Sequence, residues 1–454
     1  MDRDDHELAL PLSAVGSRKT VGVVGAGWAG LAAALTLHDA GHRVVLWEMA
    51  PLPGGRGRSG IRQDTGGTGA PQSIELDCGQ HILIGAYTAS LRLMQGLGVD
   101  LKASLWRGPL QLMDAQGQGL RLPTGHPLWA FLRGLWAHRR WSWSERGTLL
   151  LRLAAWHRRG FRCEPGLTVA ALCEGLAPRV MDELIDPLCV AALNTPSAVA
   201  DGGVFLRVLG DGLFAGPGGS DLLIPRVPLH ELLPGPALQT LRAGGHAVHL
   251  SQRVARIEPW GPDRRGAWQV QGKDAVAVDH LILATSAPEA ARLVQPWDPA
   301  WSATAACLPF APIVTTWVQA PGARLPGPMV RLDGGPAQFA FDLQALGVAW
   351  PGVLALVSSD AGSWLSEGLP ALEGAALQQV QRLPGVTAAH VVRSVAERRA
   401  TFRCSAGLLR PAAWAAPAVG GLAVAGDYVE GPYPSTLEGA VRAGVAAAHH
   451  LMNS

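Results

Sequence analysis

Blocks of apolar and polar residues near the start of the chain predict a strand, a helix and a second strand. Residues 21–24 (VGVV) form a short apolar run, an alanine- and leucine-rich stretch follows, and a second apolar run ends at Glu48. Glycines 25, 27, 30 and 41 punctuate these blocks. Short β-branched runs bounded by glycine are typical of buried strands, whereas longer alanine- and leucine-rich stretches are typical of helices. The opening therefore predicts a β-α-β unit.

Later apolar runs extend this pattern into a larger α/β fold. Residues 245–257 read as a β-hairpin or meander, and residues 278–286 and 421–427 read as buried strands that return to the first domain. Residues 313–318, 353–358 and 391–394 alternate in a way that predicts a mixed sheet. We therefore predict a discontinuous Rossmann-like domain (20–100, 232–290 and 400–454), a helical subdomain (101–231), a mixed-sheet substrate domain (291–400) and a flexible extension (1–19).

The glycines after the first strand have the spacing of a dinucleotide-binding turn. Gly25 permits the tight turn, Gly27 lets the backbone approach a pyrophosphate, and Gly30 lets the helix pack on the sheet. Trp28 and Ala29 open the helix, whose N-terminal N–H groups and dipole favour phosphate. Glu48 lies 18 residues beyond Gly30, close to the offset of about 20 at which an acid binds ribose hydroxyls. This spacing predicts a site for NAD or FAD.

A second glycine-rich loop follows the second strand directly. It reads PGGRGRS from residue 53 to residue 59, so Gly54 and Gly55 allow a close backbone approach. Arg56 and Arg58 are candidates to reach a pyrophosphate or a flavin edge. From the pattern alone, an ordinary glycine-rich surface loop explains these residues equally well.

Two further segments carry candidate cofactor contacts. Gly426 and Asp427 end an apolar strand, and Asp427 is a candidate acceptor for ribityl hydroxyls. Ser435 or Thr436 is the predicted N-cap of the alanine-rich C-terminal helix, whose start favours negative charge on a reduced flavin. Val254 is placed where its backbone can contact adenine, although a plain strand-core role fits it equally well.

Composition limits the classes of function. The chain has 454 residues, a net charge of +2 and 16% charged residues, which suits two or three domains and argues against a bulk nucleic-acid binder. Its six cysteines form no CxxC pair and no zinc spacing, so no metal site is predicted. The acidic start and the lack of a long apolar stretch predict a cytoplasmic protein, soluble or peripheral to a membrane.

Together these motifs resemble the flavin amine oxidase and phytoene desaturase superfamily. Within it, the chain is more similar to the squalene-associated FAD-dependent desaturase family, the hydroxysqualene dehydroxylases. The residues that carry the narrower resemblance are LDCGQH (76–81) with GAY (85–87), DPL (186–188) with AALNT (191–195), ATF (400–402), RP (410–411) and AGDYVEGPYPSTLEGAVRAG (425–444). Tyr428 stands where a tryptophan is common in the family, and residues 430–433 form a less familiar insert.

The resemblance implies FAD as cofactor and hydroxysqualene, a C30 isoprenoid, as substrate. In such enzymes the hydroxyl leaves and a hydride from reduced flavin takes its place, which requires a proton donor and an apolar pocket. His81 is the leading candidate donor. Tyr87, Asp186 and Asn194 are second-rank candidates, and the region of Glu430 and Tyr433 is a further candidate to face the flavin, not ranked above His81. A histidine satisfied by backbone carbonyls remains the alternative for His81.

Other activities of the same fold stay open. A carotenoid desaturase or an amine oxidase would use the same cofactor motifs, but amine oxidases often place a lysine near the flavin. Only Lys19, Lys102 and Lys273 occur in the chain, which makes that activity less favoured. A non-catalytic prenyl-lipid chaperone would not need the cofactor motifs. The electron donor is not identified, because no second GxGxxG unit of comparable quality is present.

Residues 121–162 have an unusual composition. They contain five tryptophans (129, 136, 141, 143 and 156) and nine arginines, with Glu145 as the single acid. Tryptophan and arginine beside leucine are typical of helices that lie in a bilayer interface. Tryptophans buried in a domain core explain the same segment equally well.

Overall fold

The computed structural model describes residues 18–64, 73–214, 216–261, 266–348 and 350–453. Most of the predicted N-terminal extension, residues 1–17, lies outside the described residues. The strands of the described part are β1 (Thr20–Val24), β2 (Arg43–Trp47), β3 (Ser59–Asp64), β4 (Ser73–Asp77), β5 (Leu83–Ile84), β6 (Leu105–Gly108), β7 (Gln111–Met113), β8 (Gly119–Arg121), β9 (Leu222–Pro225), β10 (Ala247–His249), β11 (Arg256–Trp260), β12 (Ala267–Gln271), β13 (Ala275–Val278), β14 (His280–Leu283), β15 (Phe310–Gln319), β16 (Met329–Arg331), β17 (Phe339–Asp342), β18 (Val353–Ser358), β19 (His390–Phe402) and β20 (Leu422–Val424).

The chain contains 16 α-helices in its described part. They are α1 (Trp28–Asp39), α2 (Thr88–Gly96), α3 (Leu101–Ser104), α4 (Pro127–Ala137), α5 (Trp143–Arg158), α6 (Val169–Leu172), α7 (Pro178–Val180), α8 (Asp186–Leu193), α9 (Gly202–Leu209), α10 (Leu229–Leu232), α11 (Pro234–Ala243), α12 (Ala287–Val294), α13 (Pro299–Ala306), α14 (Gly362–Glu367), α15 (Leu369–Gln381) and α16 (Leu437–Met452). A 3₁₀ turn covers Gly55–Gly57, and π-helical turns cover Met181–Ile185 and Gly210–Phe214.

A parallel sheet of the described strands forms the first domain, in the order β10-β2-β1-β14-β20. All of these strands lie within the three segments predicted for the discontinuous domain. Strand β1 has β2 on one side and β14 on the other, so the strand order reverses at β1. Sheets of this type bind ligands at such a point, beyond the carboxyl ends of the strands. The predicted α/β, Rossmann-like fold class is confirmed, whereas the exact domain boundaries stay a prediction.

Helices cover one face of this sheet and an antiparallel meander packs near the other. Helix α1 packs against α11 and α16, and the β11-β12-β13 meander contacts β1 and β14. The approach of α16 to α1 is close, because a Cβ on Gly444 would lie 2.0 Å from the carbonyl oxygen of Ala29. The first and last helices of the domain therefore hold its two distant segments together.

A second, antiparallel sheet has the order β16-β17-β18-β15-β19. Helix α15 packs on this sheet through a small apolar cluster that includes Leu354, Leu356, Ala376 and Val380. The sheet lies within predicted segment 291–400, apart from the end of β19, but it is antiparallel and not mixed as predicted. Segment 101–231 contains α3 to α9, but it also contributes short strands β6 to β9, so it is less purely helical than predicted. No helix among the described residues is long and apolar enough to cross a membrane.

Candidate functional site

The turn between β1 and α1 tolerates only glycine at two positions. Gly25 has φ +106°, and a Cβ there would lie 2.4 Å from the carbonyl oxygen of Ala284. A Cβ on Gly30 would lie 1.9 Å from the carbonyl oxygen of Gly25. Gly27 differs, because the nearest atom to its Cβ would be the Gly55 Cα at 3.9 Å. Gly25 and Gly30 therefore shape the turn, whereas Gly27 leaves open space beside it.

Helix α1 begins at this open space. Its N-cap is Gly27, which supplies no capping side chain, and Trp28 and Ala29 follow as its first residues. All of these residues line a single large cavity. The first N–H groups of a helix have no partner within the helix and attract phosphate, so this end of the cavity is suited to a pyrophosphate.

Glu48, directly after β2, hydrogen-bonds to the turn between β1 and α1. Its carboxylate accepts hydrogen bonds from the N–H groups of Ala26 (2.8 Å) and Ala50 (2.8 Å). The residue is only 8% exposed, yet it lines the cavity. Glu48 is therefore held in place at the position predicted for the ribose-binding acid.

The second glycine-rich loop lies directly against the first. The N–H of Gly54 donates to the carbonyl oxygen of Ala26 (2.8 Å), and a Cβ on Gly55 would lie 3.3 Å from the Cα of Gly27. Arg56 donates to the carbonyl oxygen of Ala400 (2.9 Å) and forms an ion pair with Asp427. The two loops thus form one wall of the cavity.

Arg58 takes a more open position than Arg56. It is exposed and lines the cavity, and its Nη1 donates to the carbonyl oxygen of Gly55 (3.1 Å). Its guanidinium therefore remains accessible to a ligand in the cavity.

Asp427 lies at the carboxyl end of β20 and lines the cavity beside Gly426. Its carboxylate accepts hydrogen bonds from Arg56 and from the hydroxyl of Ser435. Burial by itself raises the pKa of Asp427, but Arg56 and Ser435 outweigh that effect and hold the pKa below its usual value. The carboxylate is therefore ionised, and hydrogen bonds from Arg56 and Ser435 fix the positions of its two oxygens.

Thr436 is the N-cap of α16. Its side-chain oxygen accepts a hydrogen bond from the N–H of Gly439 (3.0 Å), and the residue lines the cavity. Because Ser435 instead binds Asp427, the two adjacent hydroxyl residues have separate roles. The start of α16, with its positive dipole end, faces the same cavity as α1.

Val254 lines the cavity from the connection between β10 and β11 rather than from a strand. Its carbonyl oxygen accepts a hydrogen bond from Arg292 (2.8 Å), and its side chain is 3% exposed. The prediction of a strand at this position is wrong, because residues 251–255 turn between two different sheets. Val254 nevertheless lines the same cavity as Glu48.

One cavity of about 800 Å³ connects all of these groups. That volume falls in the range of small-molecule and cofactor sites. It is lined by the N-termini of α1 and α16, by the two glycine-rich loops, and by the carboxylates of Glu48 and Asp427. This donor and acceptor set fits an extended dinucleotide with a pyrophosphate at α1.

Comparison with known proteins decides the family. Residues 28–452 match the model of the flavin containing amine oxidoreductases. The chain belongs to this family. It is an FAD-dependent oxidoreductase, and the residues described above would hold the FAD. The predictions of FAD and of an oxidoreductase are therefore confirmed.

Two relatives are similar along almost the whole chain. The hydroxysqualene dehydroxylase of Rhodopseudomonas palustris is 28% identical over 449 residues, which cover 95% of this chain and 97% of that protein. The hydroxysqualene dehydroxylase of Sinorhizobium fredii is 26% identical over 446 residues, with the same coverage of 95% and 97%. The resemblance drawn from the sequence motifs is thus confirmed at the level of the family.

A solved structure supports the fold. An oxidoreductase from Methanosarcina mazei has a TM-score of 0.68 and 17% identity, and the match covers 95% of this chain and 100% of that one. At this identity the likeness supports the architecture.

An apolar wall forms the other side of the cavity. Strands β15, β17, β18 and β19 contribute it, and its side chains are Phe310, Ile313, Phe339, Phe341, Val357 and Phe402. Phe339 and Phe341 are two residues apart on β17, so they point to the same face of the sheet. This sheet therefore contributes apolar side chains to the cavity, together with polar side chains such as Thr315, Glu397 and Arg399.

His81 also lines the cavity, in a segment that contacts this sheet, because the N–H of Gln80 donates to Thr315 Oγ1 on β15 (3.3 Å). Its Nδ1 lies 2.9 Å from the carbonyl oxygen of Gly79, so we assign the ring proton to Nδ1 and leave Nε2 as an acceptor. Burial lowers the pKa of His81 below its usual value of 6.5, although the hydrogen bond to Gly79 acts in the opposite direction. The imidazole is therefore neutral near pH 7 in the free protein.

Asn194 reaches the cavity, but its amide makes three hydrogen bonds within the protein. Its Nδ2 donates to Thr401 Oγ1 (2.9 Å) and to the carbonyl oxygen of Ala311 (3.2 Å), and its Oδ1 accepts from the N–H of Asp360 (2.7 Å). The residue adopts a left-handed conformation with φ 47° at the end of α8. These contacts make Asn194 a positioning residue that joins α8 to the apolar sheet, rather than a free catalytic group.

Tyr433 lies away from the cavity, contrary to its prediction as a catalytic residue. Its hydroxyl donates to Asp211 (3.0 Å), and the guanidinium groups of Arg207 and Arg442 lie 5.4 and 5.2 Å from its ring centroid. These partners come from α9, the following π-helical turn and α16, and Tyr433 is not among the residues that line the cavity. Tyr87 does line the cavity, whereas Asp186 lines a separate charged pocket.

Sequence reasoning did not identify Arg410 as the residue that shapes the loop after Asp427. Its guanidinium donates to the carbonyl oxygens of Asp427 (2.7 Å), Tyr428 (3.2 Å), Gly431 (2.8 Å) and Tyr433 (2.8 Å). The only signal was its place in the Arg-Pro motif at residues 410–411. The sequence analysis predicted the strands and included Phe402 in the ATF motif (400–402), but it did not predict that the aromatic side chains would line one cavity.

Proposed function

We propose that this enzyme removes the hydroxyl group of hydroxysqualene reductively and releases squalene. The observation that carries the proposal is the similarity of 95% of the chain to two hydroxysqualene dehydroxylases. The large apolar wall beside the cofactor site is what a C30 hydrocarbon substrate requires. The reaction would serve squalene and hopanoid biosynthesis.

The reaction balances as an exchange of hydroxide for hydride. Reduced FAD, when bound, supplies the hydride. The substrate hydroxyl takes up a proton and leaves as water, and the hydride takes its place on carbon. The cofactor loses two electrons in each turnover, so an external electron donor has to restore them.

The residues of the chain have two tasks in this reaction. The wall that includes Phe339 and Phe341 excludes water, which would otherwise capture an allylic cation. His81 supplies the proton to the leaving hydroxyl through Nε2, since Nδ1 is engaged with Gly79. Because burial lowers the pKa of His81, this role requires that the ring takes up a proton before the hydroxyl leaves.

The cavity does not favour an amine oxidase. All three lysines lie in the described part of the chain, and none of them lines the cavity. Lys102 and Lys273 are exposed, and Lys19 Nζ lies 2.7 Å from His280 Nε2. A lysine close to the flavin is therefore missing from this site.

We assign the protein to the cytoplasm. All six cysteines are free, and Cys78, Cys173, Cys189 and Cys404 are buried. Unpaired buried cysteines suit a reducing compartment.

The deciding experiment uses FAD-loaded protein that has been reduced anaerobically with dithionite. Hydroxysqualene is added, and the products are separated by gas chromatography. We expect squalene in stoichiometric amount together with reappearance of the oxidised flavin spectrum. Oxidation of phytoene or of an amine by the oxidised protein, without squalene formation by the reduced protein, would instead assign a desaturase or an amine oxidase.

A further inference from the structure

Three tryptophans on helices α4 and α5 are exposed to solvent. Trp129, Trp136 and Trp143 are 62%, 71% and 65% exposed. The other two tryptophans of the segment, Trp141 and Trp156, are 2% and 3% exposed and belong to the core. Two tryptophans of the segment are therefore buried in the core, and the other three are exposed to solvent.

The exposed tryptophans form one continuous surface. Trp129 and Trp136 are seven residues apart on α4 and therefore share a helix face. The rings of Trp136 and Trp143 lie 4.8 Å apart between centroids, so the surface continues across the turn to α5. We call these three tryptophan side chains the tryptophan face.

This face is not needed to fold its helix. The opposite side of α4 buries Ala130, Phe131, Gly134 and Leu135, and Phe131 packs against Phe214 with ring centroids 6.0 Å apart. A large exposed aromatic patch on a helix whose other side is already packed indicates a binding surface.

Arginines surround the tryptophan face. Arg133 lies between Trp129 and Trp136 on the same side of α4, and Arg139 follows in the turn; both are exposed. The guanidinium of Arg146 lies 4.6 Å from the ring centroid of Trp143. Because Arg133, Arg139 and Arg146 adjoin the face and Glu145 is the one acid in residues 121–162, this surface is complementary to a negatively charged partner.

We propose that the tryptophan face docks the protein on an anionic phospholipid bilayer. Tryptophan rings are amphipathic and settle at the depth of lipid headgroups. Arginines beside them attract anionic headgroups, and that attraction is screened by salt. The surface would hold the enzyme where apolar isoprenoids dissolve, but docking itself does not depend on the proposed reaction.

The test is co-sedimentation of the full-length, FAD-loaded protein with vesicles. One set contains phosphatidylcholine alone and the other contains phosphatidylcholine with phosphatidylglycerol. We expect the protein to sediment with the anionic vesicles and to be released by salt. Substitution of Trp129→Ala, Trp136→Ala and Trp143→Ala together should lower the partition coefficient about tenfold or more.

Charge variants provide a second, independent measurement. Arg133→Glu with Arg139→Glu should weaken binding to anionic vesicles about tenfold at low salt. Two matched controls should bind like the parent protein: Trp260→Ala, at an exposed tryptophan on β11, and Arg62→Glu with Arg393→Glu, at exposed arginines on β3 and β19. Retention of the flavin absorbance verifies that each variant is folded.

Three outcomes would overturn the proposal. The first is a parent protein that stays in the supernatant with both vesicle types. The second is unchanged binding when the tryptophans or the two arginines are substituted. The third is a lipid-free dimer that the triple tryptophan variant converts to a monomer, because the face would then bind a second copy of the chain.

Discussion

The guanidinium of Arg56 forms an ion pair with the carboxylate of Asp427, 371 residues further along the chain. The pair joins the second glycine loop to the end of the last strand of the parallel sheet. The side chain of Asp427 is 6% exposed, whereas that of Arg56 is 39% exposed. Loss of the arginine would leave a buried carboxylate without its counter-charge, whereas loss of the carboxylate would leave a cation that water can reach.

This asymmetry predicts unequal effects of the two substitutions. Arg56→Gln should weaken FAD binding about tenfold or more and lower the melting temperature clearly, because an unpaired buried charge costs up to about 3–5 kcal/mol. Asp427→Asn should lower the melting temperature less. FAD titration of the apoprotein and thermal unfolding measure both effects.

The double variant is the matched control for the ion pair. Arg56→Gln with Asp427→Asn should recover part of the stability that Arg56→Gln loses, since no buried charge remains. Equal losses in the two single variants, without recovery in the double variant, would contradict an asymmetric pair.

The glycines of the first loop predict two different phenotypes. Gly30→Ala should abolish folding, because its Cβ would lie 1.9 Å from the carbonyl oxygen of Gly25. Gly27→Ala should fold with a near-normal melting temperature but bind FAD about tenfold more weakly, since its Cβ enters the open cavity. Circular dichroism and flavin content separate the two. Gly147→Ala on α5 is the control, since its Cβ would have no neighbour within 4 Å; it should gain up to about 1 kcal/mol.

Local sequence motifs predicted residues that the fold brings to one cavity, and they did so for a physical reason. The turn at Gly25, the cap at Thr436 and the strands that precede Glu48 and Asp427 depend on neighbours in sequence. Tyr433 was misplaced because the group that orients its hydroxyl, Asp211, lies 222 residues away. Such a contact leaves no periodic signal in the sequence.

The substrate side was less predictable for the same reason. Phe310 and Phe402 are direct partners across β15 and β19, although 92 positions separate them in the chain. Apolar alternation predicted that these strands exist, but the register that brings the two rings to one cavity is set by pairing between distant segments. The tryptophans of α4 and α5 are a further example, because composition alone did not separate the core pair from the exposed three.

The raised pKa of Asp77 leads us to expect that the free energy of unfolding depends on pH. Its Oδ1 accepts hydrogen bonds from the Ser59 hydroxyl (2.5 Å) and the Leu229 N–H (2.9 Å), and burial raises its pKa from 3.8 to about 6. A pKa raised by folding contributes stability below about pH 4 that is lost as the pH rises through about 6. The loss is at most about 3 kcal/mol.

Asp77→Asn should remove this dependence. The variant keeps an oxygen acceptor but carries no charge, so its melting temperature relative to the parent should be higher at about pH 8 than at about pH 4.5. Thermal unfolding of both proteins at the two pH values measures the difference. The same offset at both values would show that Asp77 does not titrate in this range.

If His81 donates the proton, its titration should set the pH dependence of turnover. Because burial lowers its pKa below 6.5, the proportion of imidazolium grows as the pH falls, and kcat/KM for hydroxysqualene should rise toward an apparent pKa below that value. His81→Gln should keep FAD bound, lose about 100-fold or more in turnover and lose this limb of the profile. Tyr433→Phe is the control: its ring lies outside the cavity, so turnover should stay within about twofold while the lost hydrogen bond to Asp211 costs about 1 kcal/mol of stability. A limb that persists in His81→Gln would move the proton donor to another group, and a large loss in Tyr433→Phe would return that residue to the mechanism.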